Sequence, residues 1–279
     1  MSIGLIVLIL FLVCLCACAV GFKKFVWFLS IGYGFAIAAS GIALAAIYLI
    51  KGTLNITGLI ASIIFVIYGL RLGLFLLIRE LKNASYRKTL DAATKTEHPI
   101  PIFVSIFVWI FVSILYVCEI SGVVFSLENI AHNAFFQANV LEILGIIIMA
   151  SGVLIESLSD KQKSASKKVN PNLPAMKGLF KFCRCPNYFG EILTWTGAFV
   201  YSFSVLLVQT NNRWWQWVMI AFGYICIIYI MLNGAKRLEK RQEQNYKGNP
   251  EFEAYIAKTP IIFVLFVPIK SLKNSKVIK

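Results

Sequence analysis

The segment at residues 184–191 combines side chains that could bind a ligand carrying phosphate and amide groups. It reads Arg-Cys-Pro-Asn-Tyr-Phe-Gly-Glu and stands at the start of an apolar run. Pro186 favours a helix that begins there, because proline lacks the N–H group that the first turn leaves unpaired anyway. A helix N-terminus beside Arg184 attracts phosphate. Asn187 and Glu191 share one helical face, where they could contact an amide, ribose or adenine edge; helix capping is the alternative interpretation.

A pair of carboxylates and a series of lysines precede this segment. Glu156 and Asp160 end the preceding apolar run and lie four residues apart, on one helical face. The lysines that follow are Lys161, Lys163, Lys167 and Lys168. Such a series attracts an anionic cosubstrate, but it is also typical of a solvated cytosolic loop beside a membrane. The sequence leaves both interpretations open.

Tyr68 and Arg71 are polar residues inside another apolar run. They are three positions apart and therefore neighbours on a helix. At 1.5 Å per residue, Arg71 lies about 10 Å from the C-terminal end of its run. Its guanidinium could snorkel to water or stabilise negative charge in a site. Glu119 and Glu142 are isolated acids near the ends of their runs, and we predict that both lie at the membrane interface.

The elements that must position these residues are membrane helices. The chain has 279 residues, of which 59% are hydrophobic and 14% charged, and its mean hydropathy is +0.77. Because soluble domains carry about 25% charged residues, this composition excludes a soluble globular enzyme and a disordered protein. We predict an all-α polytopic membrane protein in one membrane domain, residues 1–279. About seven apolar runs are long enough to span a bilayer, at residues 3–20, 25–50, 54–78, 101–125, 138–156, 190–209 and 214–232.

Positive charges divide unevenly among the loops between these runs. Of the 27 Lys and Arg residues, 24 follow odd-numbered runs, whereas only Lys51 and Arg213 follow even-numbered ones. Because cytosolic loops carry the excess of positive charge, we predict an N-terminus outside and a C-terminal tail in the cytosol. The net charge of +14 then reflects loops that face anionic lipid, with no nucleic-acid partner. The excess of positive charge in cytosolic loops is common to the endoplasmic reticulum and the bacterial inner membrane, so it does not distinguish these two membranes. The sequence makes no prediction about the oligomeric state.

Two motifs carry a resemblance to a known family. Residues 184–191 resemble the R-H-P-N-Y-F-G-E signature of the steroid 5-alpha-reductase-like membrane reductases, particularly the DUF1295 branch. The tail Asn249-Pro-Glu-Phe-Glu-Ala-Tyr255, followed by Lys258-Thr-Pro260, is similar to the closing segment of that branch. The resemblance is strong over about residues 150–265, the region expected to hold the cofactor. It is weak over residues 1–149, the helices expected to form the substrate side.

The resemblance implies NADPH-dependent reduction of a carbon–carbon double bond conjugated to a ketone, in a steroid or other lipid within the bilayer. It implies that Tyr68 supplies a proton, with Arg71 beside it stabilising negative charge. No metal is implied. The resemblance assigns six residues to the cofactor. Arg184 is added because it lies beside a helix N-terminus that could bind phosphate. The full set is Asp160, Lys167, Arg184, Asn187, Glu191, Arg237 and Tyr255.

The chain departs from the family pattern at two places. Cys185 stands where the signature has histidine. The second apolar run has Ser30 and Ile31 where the family carries an acid, a glutamate or an aspartate. The missing acid removes a neighbour that the family provides for its proton-donating tyrosine.

Two other functions fit parts of the same pattern. Membrane lipid or prenylcysteine methyltransferases that use S-adenosylmethionine carry a related R-x-P-x-Y-x-G motif. They typically add a Glu-Glu pair before the closing tail, whereas this chain has Lys236-Arg-Leu-Glu-Lys-Arg241. A non-catalytic lipid-binding remnant is the third possibility, and the missing second-run acid favours it. Binding of NADPH or of S-adenosylmethionine distinguishes the first two.

Overall fold

The computed structural model describes residues 1–84, 87, 100–129, 138–207, 214–264 and 267–269. Within these residues the 3-10 turns are Ala19–Phe22, Phe25–Leu29, Gly178–Lys181 and Phe203–Leu207. An antiparallel hairpin of β1 (Ile262–Val264) and β2 (Val267–Ile269) pairs Ile262 with Ile269. The helices are α1 (Ile3–Cys18), α2 (Ile31–Lys51), α3 (Ile56–Lys82), α4 (Ile102–Asn129), α5 (Val140–Val169), α6 (Pro186–Ser202), α7 (Trp214–Tyr246) and α8 (Pro250–Lys258).

The helices confirm an all-α polytopic membrane fold. Six of the helical segments in the described residues are long and apolar enough to cross a membrane. The predicted sixth run, at residues 190–209, falls on α6, which has only 17 residues and passes into the 3-10 turn Phe203–Leu207. At 1.5 Å per residue α6 is about 25 Å long, shorter than the roughly 30 Å hydrocarbon core. Residues 208 and 209 lie outside the described part of the chain. The orientation of the termini stays a prediction.

The chain divides into two compact units. The first unit comprises residues 1–146 and 198–224, and the second comprises residues 147–197 and 225 onward. The first unit therefore contains α1 to α4 and the start of α7, whereas the second contains most of α5 and α6, the rest of α7, and α8. The two regions proposed from the sequence, 1–149 and 150–265, differ from these units because the C-terminal helices contribute residues to both.

Glycines allow α2 and α3 of the first unit to pack backbone against backbone. A Cβ atom added to Gly34 would lie 2.6 Å from the amide nitrogen of Gly73 and 2.8 Å from the carbonyl oxygen of Gly69. Small residues at a helix contact permit this approach, and a larger side chain would force the helices apart. Tyr33 and Tyr68 immediately precede two of these glycines, so the same contact brings the two tyrosines together.

Ion pairs join the ends of the helices in the first unit. Lys24 contacts the Glu80 carboxylate at 2.6 Å, and the Trp27 indole N–H donates to the other oxygen of Glu80 at 2.8 Å. Lys51, at the end of α2, contacts Glu128 near the end of α4, also at 2.6 Å. These pairs connect α3 to the turn before α2, and α2 to α4.

Glu142 is not the isolated acid that the sequence indicated, because protein encloses it completely. Its carboxylate accepts hydrogen bonds from the Thr57 hydroxyl at 2.7 Å, the Ser126 hydroxyl at 2.8 Å and the Asn139 amide at 3.2 Å. Glu119 is also buried, at 6% exposure. Buried charges in membrane proteins need such polar partners, and two of them, Thr57 and Ser126, come from other helices, α3 and α4.

The predicted orientation can be tested with introduced thiols. Cys183 and Cys185 are buried, and this burial raises the pKa of Cys183 to about 11 and that of Cys185 to about 12. Because the thiolate is the reactive form, neither should react with a membrane-impermeant maleimide at neutral pH. Lys181→Cys, at an exposed site, should be labelled only from the cytosol, and Thr53→Cys only from outside. If the reagent labels Lys181→Cys from outside in intact cells, the predicted orientation is wrong. The chain without an introduced cysteine is the background control.

Candidate functional site

The signature helix α6 lies backbone to backbone against α5 in the second unit. A Cβ atom added to Gly190 would lie 2.6 Å from the amide nitrogen of Glu156 and 2.7 Å from the carbonyl oxygen of Gly152. Gly152 in turn faces Thr194, one turn further along α6. Residue numbers therefore rise along α6 as they fall along α5, which makes the two helices antiparallel. The glycine of the octapeptide is required by this contact.

The α5–α6 contact explains how three predicted cofactor residues come to one region. Asp160 follows Glu156 by one helical turn, which places it level with the start of α6, where Asn187 lies. Glu191 is one turn further along α6 and is buried, at 6% exposure. Asp160 and Asn187 are half-buried. Two carboxylates and one carboxamide thus approach the same end of the helix pair.

The side-chain oxygen of Asn187 is enclosed by protein. Within the part of the chain that the structure describes, no hydrogen-bond donor reaches this Oδ1 atom. A buried acceptor without a donor costs about 1–3 kcal/mol, and a ligand that donates an N–H or O–H group would remove that cost. The arrangement therefore favours ligand binding by Asn187 over helix capping.

Arg184 is buried, and in the described part of the chain its side chain contacts protein groups. Its Nε donates to the Thr259 carbonyl oxygen at 3.1 Å, and a terminal nitrogen contacts the Glu239 carboxylate at 3.2 Å. Both side chains of the ion pair are at most 5% exposed. Arg184 thus connects the octapeptide to α7 and to the residue that ends α8. Phosphate binding by Arg184 stays a prediction.

Backbone hydrogen bonds attach the tail to the octapeptide. The amides of Arg184 and Cys185 donate to the carbonyl oxygens of Pro260 and Ile261, both at 2.9 Å. The carbonyl groups come from the segment between α8 and β1, so the start of the hairpin lies next to the start of the octapeptide in space. The backbone of the octapeptide therefore holds the start of the hairpin in place.

Lys167 and Tyr255 each contact a nearby oxygen. The Lys167 ammonium donates to the Tyr246 hydroxyl at 2.6 Å and to the Pro171 carbonyl oxygen at 2.9 Å. The Tyr255 hydroxyl donates to the Phe180 carbonyl oxygen at 2.7 Å, and burial raises the pKa of Tyr255 above its usual value. Both residues hold the loop after α5 against the C-terminal helices.

Arg237 is exposed on α7, on the side that approaches α6. The Tyr188 hydroxyl interacts electrostatically with Glu191, Arg237 and Arg241, and a Cβ atom on Gly234 would lie 3.3 Å from the Tyr188 ring. Arg241 was missed by the sequence analysis, although its four-residue spacing from Arg237 on one helical face could have indicated it. Two exposed guanidinium groups therefore stand near the signature helix and could bind phosphate oxygens.

The predicted catalytic residues Tyr68 and Arg71 belong to the first unit, and the predicted cofactor residues belong to the second. Tyr68 is fully buried in α3, and its hydroxyl donates to the Tyr33 hydroxyl at 3.0 Å. The two rings meet edge to face with centroids 6.1 Å apart. Tyr33 was missed, although it stands only two residues after Ile31, in the segment where the family acid is absent.

Arg71 follows Tyr68 by three residues on the same helix and is half-buried. Its Nε and Nη2 atoms are enclosed by protein. Enclosure of these donors favours a charge held within the first unit over a guanidinium that snorkels to water. A guanidinium enclosed at this position could stabilise negative charge near Tyr68.

Comparison with known proteins identifies a family and gives no named relative. A family model described as "Protein of unknown function (DUF1295)" matches residues 21–259. No curated protein and no solved structure matches the chain. The matched range extends far ahead of residues 150–265, where the resemblance in sequence is strong, and it includes both the tyrosine pair and the octapeptide. The chain therefore belongs to the DUF1295 family.

Proposed function

We propose that this membrane protein uses NADPH to reduce a carbon–carbon double bond conjugated to a ketone in a lipid. The observation that carries the proposal is the enclosed Oδ1 atom of Asn187, which lies on the signature helix beside buried Glu191. An acceptor of this kind fits the amide or amino groups of a nicotinamide nucleotide. The resemblance to steroid 5-alpha-reductase-like enzymes supports the choice of reaction.

The residues of the second unit fit the chemical groups of NADPH. Asn187 offers an acceptor for an N–H group, and the carboxylates of Asp160 and Glu191 could accept hydrogen bonds from ribose hydroxyls. Arg237 and Arg241 are exposed cations, and guanidinium groups bind phosphate oxygens in a bidentate manner. A carboxamide, two carboxylates and two guanidinium groups are thus present for the amide, ribose and phosphate groups of the cofactor.

The residues of the first unit fit the proton chemistry of the reaction. When bound, NADPH supplies a hydride to the β-carbon of the enone. The Tyr68 hydroxyl donates its proton to the carbonyl oxygen as negative charge develops there, which gives an enol that becomes the saturated ketone. Tyr68 then regains a proton from water. Arg71 stabilises the negative charge during this exchange, because a cation enclosed in a medium of low dielectric acts strongly.

The cofactor assignment predicts a loss of affinity when the Asn187 acceptor is removed. Asn187→Ala should weaken NADPH binding by about 1–3 kcal/mol, or about 5- to 150-fold in Kd, because the ligand donor loses its partner. Isothermal titration of the purified protein in detergent measures this directly. Asn172→Ala, at an exposed asparagine of the same unit, is the control and should bind NADPH normally.

Two results would count against the assignment. If Asn187→Ala and Glu191→Ala both bind NADPH like the wild type, the cofactor binds elsewhere on the protein. If the wild type binds S-adenosylmethionine and not NADPH, the methyltransferase alternative replaces the reductase.

A further inference from the structure

We propose that Tyr33 is a positioning residue for the proton that Tyr68 donates. The assignment rests on the proposed reductase function and adds a residue that the family resemblance does not supply. Tyr33 lies in the first turn of α2, close to Ser30 and Ile31, where the resemblance leads to an expected acid and the sequence has none. The Tyr33 hydroxyl gives that segment a polar group within hydrogen-bond distance of the Tyr68 hydroxyl.

The helix contact holds the two hydroxyl groups at hydrogen-bond distance. Gly34 and Gly69, each next to one of the tyrosines, permit the close approach of α2 and α3. Tyr33 is 5% exposed and Tyr68 is fully buried, and their hydroxyl oxygens are 3.0 Å apart. Rings on helices packed this closely have little freedom to move, so the distance between the hydroxyls is set by the backbones.

A third tyrosine supports the orientation of Tyr33. The rings of Tyr33 and Tyr116 have centroids 4.9 Å apart. The Tyr116 hydroxyl donates to the carbonyl oxygen of Phe28 at 2.9 Å. Tyr116 therefore packs against the ring of Tyr33 while its own hydroxyl is directed at the backbone before α2.

The other residues of the segment are less suited to this task. The Ser30 hydroxyl donates to the Val26 carbonyl oxygen at 2.9 Å, and Ile31 has no polar group. Tyr33 is thus the side chain in this segment whose hydroxyl is seen to contact Tyr68. The Tyr33 phenol supplies an O–H group that can donate to the Tyr68 oxygen.

The chemistry follows from the capacity of a phenol to donate one hydrogen bond while accepting another. In the structure Tyr68 donates to Tyr33. When Tyr68 turns its O–H toward a substrate carbonyl, Tyr33 can donate to the Tyr68 oxygen instead, and only the two O–H bonds rotate. As the Tyr68 proton moves to the enolate oxygen, the Tyr33 O–H stabilises the phenolate left behind. Tyr33 keeps its own proton throughout.

The kinetic test compares Tyr33→Phe with Tyr116→Phe in the full-length protein in detergent, with NADPH and an enone lipid. Tyr33→Phe should lower kcat about tenfold, the effect of one lost hydrogen bond to developing charge, and leave KM unchanged. The solvent deuterium isotope effect on kcat should rise, since proton transfer becomes slower. Tyr116→Phe removes a hydroxyl from the same tyrosine cluster and should leave both values near those of the wild type. An unfolding midpoint within a few degrees of the wild type shows that each variant is folded.

A spectroscopic test reports the hydrogen bond without any turnover. Fluorotyrosine incorporated at position 68 gives one ¹⁹F resonance, and its chemical shift responds to a hydrogen bond at the ring oxygen. Tyr33→Phe should move this resonance, whereas Tyr116→Phe should move it much less. An unmoved resonance in Tyr33→Phe overturns the assignment whatever the activity.

The remaining outcomes separate this assignment from the proposed function. A wild type that reduces enones, together with a Tyr33→Phe variant of equal kcat and isotope effect, overturns the role of Tyr33 alone. An equal fall in Tyr33→Phe and Tyr116→Phe also overturns it, because the effect is then one of packing. A wild type that binds NADPH and reduces no enone overturns the reductase function, and the assignment of Tyr33 with it.

Discussion

Replacement of Tyr68 by phenylalanine should leave NADPH bound and lower the turnover of an enone lipid by about 10²–10⁴, the range expected for loss of general acid catalysis. The ring stays in place, so the packing of α2 against α3 is kept. The change removes only the hydroxyl that donates to Tyr33. The proton for the enolate oxygen must then come from a less well oriented group.

The measurement is the rate of NADPH oxidation at saturating cofactor, compared with the affinity for NADPH of the same preparation. The matched control is Tyr48→Phe, which removes another fully buried tyrosine hydroxyl from the first unit, one that donates to the Val124 carbonyl oxygen at 3.0 Å. This control should retain turnover within a few-fold. A Tyr68→Phe variant as active as the control would remove Tyr68 from the mechanism.

Replacement of Glu239 by alanine should lower the free energy of unfolding by about 3–5 kcal/mol, the usual effect of breaking a buried ion pair. The Glu239 carboxylate lies 3.2 Å from Arg184, and neither side chain is more than 5% exposed. Without its partner, the guanidinium keeps its charge in a buried position. The tail should detach most readily, because Arg184 also binds the Thr259 carbonyl oxygen.

Reversible unfolding of the protein in mixed micelles measures this change. Lys240→Ala, at the neighbouring exposed position of α7, is the control and should alter stability by less than about 0.5 kcal/mol. The double variant Arg184→Met/Glu239→Leu should recover much of the loss, because apolar replacement of both partners removes the buried charges together. If Glu239→Ala unfolds like Lys240→Ala, the ion pair contributes nothing to stability.

Helix boundaries show where hydropathy and backbone structure diverge. The second apolar run starts at residue 25, but α2 begins at Ile31, because Ser30 has a non-helical backbone (φ −131°, ψ −86°) after a 3-10 turn. In the opposite sense, α5 continues to Val169, well past the end of its apolar run. Hydropathy reports transfer into lipid, whereas a helix continues into water as long as its backbone hydrogen bonds are made.

Contacts within one helix were predictable, and contacts between helices were not. The start of α6 at Pro186 and the shared face of Asn187 and Glu191 follow from local spacing alone. The ion pair between Arg184 and Glu239 joins residues that are 55 positions apart. The burial of Glu142 likewise depends on hydroxyls from distant segments. A spacing rule covers only a few residues and contains no information about which helix lies opposite.

The sequence by itself determined the membrane environment, the number of long apolar segments to within one, and the family resemblance of the C-terminal region. These properties depend on composition and local order, since each apolar side chain contributes its own transfer free energy. Only the tertiary structure decided that Tyr33 contacts Tyr68, that Arg184 binds the tail, and that the Asn187 oxygen is enclosed. Those contacts depend on which segments lie opposite each other. The tyrosine contact, for example, requires the close approach of two backbones at Gly34 and Gly69, which only small residues permit.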